Sequence, residues 1–181
     1  MLQQGSNRDF RYLDTDSDRK ELIADIRRVR QAVVQMAEAV PQERHFEPRY
    51  HGWSLSALMM HLHLTDRLSL FGIQLALVGI HPPLSSANLD RLNDFTARVF
   101  QRRLLTATLR GMRAHESRIT DFILRLPIDR FSKQVCYPPA DTYLTVERAI
   151  QAFFLFHWQE HLQVMQKIEG IYYEPPSSAE V

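Results

Sequence analysis

Apolar residues recur at three- and four-residue steps over long stretches that prolines and glycines interrupt. This spacing is typical of amphipathic α-helices. The first helix is predicted over about 18–40, with Asp18 as its N-cap and Glu21 as the capping-box partner. Further helices are predicted over about 55–78 and 89–126, the latter allowing a break near 104–108, and from after Thr145 to about 169. Ser54 and Thr145 are the expected N-caps of the second and fourth helices. With six glycines and few strand signals, the chain is expected to be all-α, a four-helix bundle.

The length of 181 residues predicts one domain. We divide the chain into an N-terminal tail (1–14), the bundle (15–170) and a C-terminal tail (171–181). The net charge of +1 argues against a nucleic-acid partner, and no stretch is apolar enough to span a membrane. The single cysteine, Cys136, excludes an intrachain disulfide, so a cytoplasmic location is the default expectation.

Two histidines of the fourth helix, His157 and His161, are four residues apart. They should lie about 40° apart around the helix axis, so both imidazoles can reach one metal ion. Trp158 stands where a zinc peptidase of the His-Glu-x-x-His type has its glutamate, which excludes that class. The alternative is a pair of partly buried histidines that hydrogen-bond to each other or to nearby backbone.

A third histidine, His61, falls on the leucine stripe of the second helix. Together with the fourth-helix pair it would complete a three-histidine site with an open position, as in catalytic zinc sites. Alone, it would be a buried histidine with hydrogen-bond partners. His63 lies about 200° away around the helix and is expected at the surface or an edge. His45 and His51 are expected to be exposed in the loop before the second helix, or alternatively to lie near a pocket mouth. His81 is expected to be exposed, and His115 to lie at a helix edge or to have a packing role.

Four segments carry a family resemblance. A Gly-Trp-Ser turn at 52–54 opens the second helix, and His61 follows Ser54 by seven residues. The segments 89–95 and 109–127 are similar to the start of a third helix and to a following segment that ends in Leu-Pro. The run 157–161 has the form His-x-x-x-His with an acidic residue before the second histidine. In this order, over about 18–168, they resemble the DinB/YfiT-like superfamily.

The resemblance implies an up-down-down-up four-helix bundle, often a homodimer. It implies a divalent metal ion, commonly zinc or nickel, held by His61, His157 and His161. Characterised members include S-transferases that use low-molecular-weight thiols (bacillithiol or mycothiol), a mycothiol-dependent maleylpyruvate isomerase, and stress-induced proteins without an assigned activity. Some members lack the metal ligands.

The leading functional hypothesis is a metal-dependent enzyme acting on a small-molecule substrate, by thiol S-transfer or by hydrolysis of an amide or ester. Glu160 is a candidate to orient an imidazole, or else a solvated carboxylate. Trp53 and Tyr50 could line the pocket, although packing at the bundle end suits Trp53 better. Arg49 and Arg67 are candidates to attract an anionic thiol. The alternative is a non-enzymatic, stress-related bundle that binds a metal or small molecule, and the balanced charge disfavours a DNA-binding regulator.

Overall fold

Helices make up most of residues 9–82 and 85–172, which are the residues that this computed structural model describes. In chain order they are α1 Asp16–Ala39, α2 Leu55–Leu77, α3 Ser86–Phe100, α4 Leu105–Arg125, α5 Val146–Gln151 and α6 His157–Glu169. A π-helical turn, Ala152–Phe156, joins α5 to α6, so these two form one continuous last helix. The predicted all-α four-helix bundle is confirmed, with α3 as an additional helix. No helix among the described residues combines the length and apolar character needed to cross a membrane.

The helix ends follow local capping chemistry. Ser54 caps α2 by accepting from the Ala57 backbone N–H, and Thr145 caps α5 in the same way, as predicted. The prediction for α1 was wrong by one turn, because Thr15 is the N-cap and Asp18 is its capping-box partner. The Thr15-x-x-Asp18 box satisfies two helix-terminal N–H groups and lets α1 begin one turn earlier than the alternative box of Asp18 with Glu21.

The third predicted helix is two helices, because the chain must reverse between α2 and α4. The hydroxyl of Ser54, just before α2, donates to the Gln101 carbonyl at the end of α3, so α3 runs back along α2. The chain then turns before α4 begins at Leu105. α2 and α4 therefore run parallel, and Thr108 of α4 lies against Met60 of α2.

The directions of the other helices follow from their side-chain contacts. The ion pair between Arg113 and Glu38 joins the first half of α4 to the end of α1, so these two helices are antiparallel. The backbone N–H of Leu13, just before α1, donates to Glu147 at the start of α5. α1 therefore runs parallel to the last helix, and the bundle has the up-down-down-up order that the resemblance implied.

A two-stranded antiparallel hairpin, β1 Gln134–Tyr137 and β2 Thr142–Thr145, interrupts the connector between α4 and α5. No strand was predicted in this connector. Each strand has four residues, and Val135 is a strand residue buried in the core, so the alternation is too short to be recognised in the sequence. The hairpin covers the end of the bundle where α5 begins.

Residues 9–14, assigned above to the N-terminal tail, pack against the last helix. Leu13 is fully buried, and the backbone N–H and C=O of Arg11 both bond to the side chain of Gln151 at 2.9 Å. This part of the chain is therefore not a loose tail. The rest of the two predicted tails, 1–8 and 173–181, and residues 83–84 between the second and third predicted helices lie outside the described residues.

Candidate metal centre

Three histidines from two helices meet near one end of the bundle, and we call them the histidine triad: His61 of α2 with His157 and His161 of α6. The Nε2 atom of His157 lies 3.2 Å from Nε2 of His61 and 3.1 Å from Nε2 of His161. The structure thus brings together all three residues that the sequence analysis selected as ligands. Three ring nitrogens at such separations have the arrangement of a metal-ligand set.

The π-helical turn Ala152–Phe156 ends immediately before His157. Such a turn holds one residue more than an α-helical turn. The residues after it therefore lie on different faces of the helix from those they would occupy in an uninterrupted α-helix. Trp158 and Phe154 stay fully buried, while His157 and His161 lie against α2. The turn was not predicted, because a continuous apolar run in the sequence is typical of a regular α-helix.

The surroundings of His61 and His161 keep both imidazoles uncharged at neutral pH. Burial lowers the pKa of His61 to about 4, opposed in part by a hydrogen bond with the Asn93 side chain. Burial also lowers the pKa of His161 to about 3, and the charges of His61 and His51 add to that shift. Neutral imidazoles keep a lone pair for a metal ion, whereas imidazolium does not.

Residues outside the predicted ligand set border the triad. The Trp53 ring packs edge-on against the His61 ring, with centroids 5.0 Å apart. Trp53 therefore has a packing role and also borders the site. Asn93 reaches His61 from α3. The sequence drew attention to Asn93 only through the resemblance of its segment. His51 is exposed as predicted, and it lies close enough to influence the charge of His161.

The placement of His63 at the surface or an edge was wrong. It is buried, and its ring faces the ring of His115 at a centroid distance of 6.0 Å. The rotation away from His61 was predicted correctly, but that side of α2 carries α4 rather than solvent. Gly111 of α4 makes room for it, because a Cβ there would lie 3.0 Å from His63 Nε2. His115 has the packing role that was one of its two predicted places.

Two predicted anion-attracting residues are directed elsewhere. Arg49 Nη1 donates to both carboxylate oxygens of Glu169, at 2.7 and 3.0 Å, and the Tyr50 hydroxyl donates to the same carboxylate at 2.8 Å. Arg67 lines a groove between α2 and α4. Glu160 is partly buried on α6, and its role in orienting an imidazole stays a prediction.

A buried polar network connects α2 and α6, the two helices that carry the histidine triad. The carboxylate of Asp66, fully buried on α2, accepts from Arg30 Nη1 at 2.6 Å and Nη2 at 3.0 Å, and from Trp158 Nε1 at 3.0 Å. The Arg30 guanidinium lies 4.2 Å from the centroid of the Trp158 ring. The network links α1, α2 and α6, so the residue between the two α6 ligands is held by both neighbouring helices.

Comparison with known proteins finds no matching family model and no matching curated protein. Two solved structures do match. One is YfiT from Bacillus subtilis, described as a probable metal-dependent hydrolase with an unusual four-helix bundle topology. It aligns with a TM-score of 0.69 at 17% identity, covering 88% of this chain and 90% of YfiT. The chain has a DinB/YfiT-like fold.

The second similar structure corrects the expectation about partners. It is the colibactin self-resistance protein ClbS in complex with dsDNA, with a TM-score of 0.68 at 17% identity over 86% of this chain and 97% of ClbS. Excluding nucleic acid was therefore wrong, since a protein of this fold is crystallised with DNA. Net charge averages over the whole surface, whereas residues 86–125 alone carry eight arginines against four acidic residues.

Proposed function

We propose that this chain binds one divalent metal ion through His61, His157 and His161 and uses it to hydrolyse a small-molecule amide or ester. The observation that carries the proposal is the separation of the Nε2 atoms, 3.1 and 3.2 Å. Ligands about 2.0–2.1 Å from a tetrahedral ion stand about 3.3 Å apart, so little movement is needed. Zinc and nickel both suit three imidazoles. The description of YfiT as a probable metal-dependent hydrolase is consistent with this proposal.

A divalent ion in this position would supply Lewis acidity and activate water near neutral pH. The residues of the chain do the positioning. The three imidazoles come from two helices that the Asp66 network ties together, so they are held in place before any ion binds. Trp53 closes one side of His61 and limits access of bulk water. Asn93 bonds to the same ring, and we assign it the role of fixing the orientation of that imidazole.

Thiol S-transfer is the other chemistry that the resemblance implies. An anionic thiol cofactor needs cations at the site, and the two arginines selected for that role do not serve it. Arg49 is bound to Glu169, and Arg67 lines the groove on the α4 side of α2. We therefore favour hydrolysis over thiol transfer.

The test uses untagged protein, because a polyhistidine tag would itself bind metal. Metal content by mass spectrometry and hydrolysis of a panel of small esters and amides are measured for wild type, His157→Ala and His115→Ala. We expect about one ion per chain and hydrolysis in wild type and His115→Ala, and neither in His157→Ala. Metal without turnover would support the non-enzymatic alternative. Absence of metal after reconstitution with zinc or nickel would reject the proposal.

A further inference from the structure

A surface groove runs between α2 and α4 on the side of α2 that carries His63. We call it the α2–α4 groove. Its apolar lining comes from both helices: Leu64, Leu68, Leu70, Phe71, Phe122 and Leu126. Two of these large side chains are left open, with Leu68 50% and Phe71 58% exposed. Over residues 64–74 of α2 the groove is about 15 Å long, at 1.5 Å per residue.

Three arginines line the same groove: Arg67 of α2 with Arg118 and Arg125 of α4. None of them forms an ion pair with a residue in the described ranges 9–82 and 85–172, whereas Arg113 on the opposite side of α4 is paired with Glu38. The groove contains one carboxylate, Asp121. The groove therefore combines excess positive charge with exposed apolar surface. Within the described residues, no carboxylate pairs with these arginines, and no side chain covers Leu68 and Phe71 fully.

Two of the arginines, Arg67 and Arg118, lie at the same level on the two helices that form the groove. The contact between His63 and His115 sets the level of α2 against α4. Arg67 follows His63 by four residues and Arg118 follows His115 by three. Because the two helices run parallel, both arginines stand about one turn beyond that contact.

One residue that lines the groove near these arginines also has an unsatisfied polar atom. His115 lines the groove and is 7% exposed, and its Nε2 has no hydrogen-bond partner among the described residues. Buried ring nitrogens normally have a partner from the protein, a water or a ligand. A water between this nitrogen and a polar head group in the groove would provide that partner.

We propose that the α2–α4 groove binds an amphipathic organic anion, a carboxylate with an unbranched apolar chain. Arg67 and Arg118 would hold the carboxylate through charge-assisted hydrogen bonds, for which the guanidinium fork is well shaped. The chain would cover Phe71, Phe122 and Leu126 further along the groove. Arg125 adds positive potential two turns beyond Arg118. The site is separate from the histidine triad and does not depend on the proposed hydrolase activity.

The apolar floor decides against DNA as the occupant of this groove. A phosphate backbone is bound mainly by cations and polar groups. It would gain nothing from Leu68 and Phe71, and it would place a phosphate near Asp121. A fatty carboxylate uses both the arginines and the exposed apolar side chains.

The test is calorimetric titration of metal-free protein with decanoate below its micellar concentration. We expect saturable binding of one decanoate per chain. The double variant Arg67→Gln/Arg118→Gln should bind at least about tenfold more weakly, because both charge-assisted contacts are lost. Phe71→Asp should weaken binding comparably. The matched control Arg98→Gln/Arg110→Gln removes two exposed arginines of α3 and α4 that do not line the groove, and it should bind as wild type does.

Three further arms separate the alternatives. His157→Ala should bind decanoate unchanged, and a loss there would mean that the carboxylate sits at the triad. Decan-1-ol should bind more weakly than decanoate, and equal binding would show that the arginines play no part. A 20-base-pair DNA duplex should not compete with decanoate. Binding of the duplex that Arg67→Gln/Arg118→Gln abolishes, without any binding of decanoate, would overturn the proposal in favour of phosphate recognition.

Discussion

Two histidine clusters lie on opposite sides of α2, and they differ in how their ring nitrogens are arranged. In the histidine triad, three Nε2 atoms converge, with separations of 3.1 and 3.2 Å from His157. In the second cluster, two rings face each other with centroids 6.0 Å apart, and His63 Nδ1 and His115 Nε2 have no hydrogen-bond partner among the described residues. His61, His63 and His115 are buried, whereas His157 and His161 are half-buried. Convergence of a third ring, rather than burial, distinguishes a candidate metal centre from a packed pair.

The largest expected effect concerns Asp66, whose carboxylate holds the helices that position both clusters. Asp66→Asn should lower the free energy of unfolding by about 3–5 kcal/mol, because it leaves the Arg30 guanidinium buried without a counter-charge. Urea denaturation followed by circular dichroism measures the change. Asp129→Asn, which removes an exposed pairing with Arg130, is the control and should cost less than about 1 kcal/mol. A loss no larger than that of the control would show that the buried pair does not tie the helices together.

The next prediction separates the two clusters directly. His61→Ala should lower zinc affinity by at least about a hundredfold, because a direct ligand should matter more than the residues that orient it. His63→Ala, two positions further along α2, should change it by less than about threefold. Competition with a chromophoric chelator gives both values. If His63→Ala weakened zinc binding as much as His61→Ala, the distinction between the clusters would fail.

Lowering the pH should reduce the free energy of unfolding of the metal-free protein, through the histidines of both clusters. Burial lowers the pKa of His61 to about 4 and of His161 to about 3, and it also lowers the pKa of His63 and of His115. Between pH 6.5 and about 4 the unfolded chain therefore binds more protons than the folded chain. Stability falls as the pH is lowered through this window, by at most about 1.4 kcal/mol per pH unit for each histidine.

Denaturation series from pH 7 to 4 test this dependence. His61→Gln/His161→Gln should flatten the pH profile more than His63→Gln/His115→Gln, because the larger shifts belong to the triad. A steeper profile in the triad variant would contradict the assignment of neutral imidazoles there.

The smallest expected effect concerns the close fit of the histidine pair. Gly111→Ala places a Cβ 3.0 Å from His63 Nε2 and should destabilise wild type by about 1 kcal/mol, despite the better helix propensity of alanine. In a His63→Ala background the same change should stabilise by about 0.5–1 kcal/mol, since only the propensity remains. Thermal unfolding of the four proteins closes this double-mutant cycle. Equal effects in both backgrounds would mean that His63 does not occupy the space beside Gly111.

Periodicity in the sequence was sufficient to predict the bundle, most helix ends and the three histidines that converge. It determines which face of its own helix a residue occupies. It does not determine which neighbour covers that face, and for this reason His63 was placed near solvent although α4 covers it. The hairpin around Val135 was missed because four-residue strands carry almost no pattern. Net charge likewise hid the local excess of arginine on α3 and α4.

The π-helical turn before His157 makes the alignment of the triad depend on chain length as well as on residue identity. Because that turn already absorbs one extra residue, deleting one residue from Ala152–Phe156 would restore an ordinary α-helix and leave the later side chains of α6 on their present faces. Inserting a further residue there would instead rotate every later side chain of α6 by about 100°. The two histidines would then turn away from α2, and Trp158 and Met165 would leave the core. The last helix therefore accepts a one-residue deletion at this turn far more readily than a one-residue insertion.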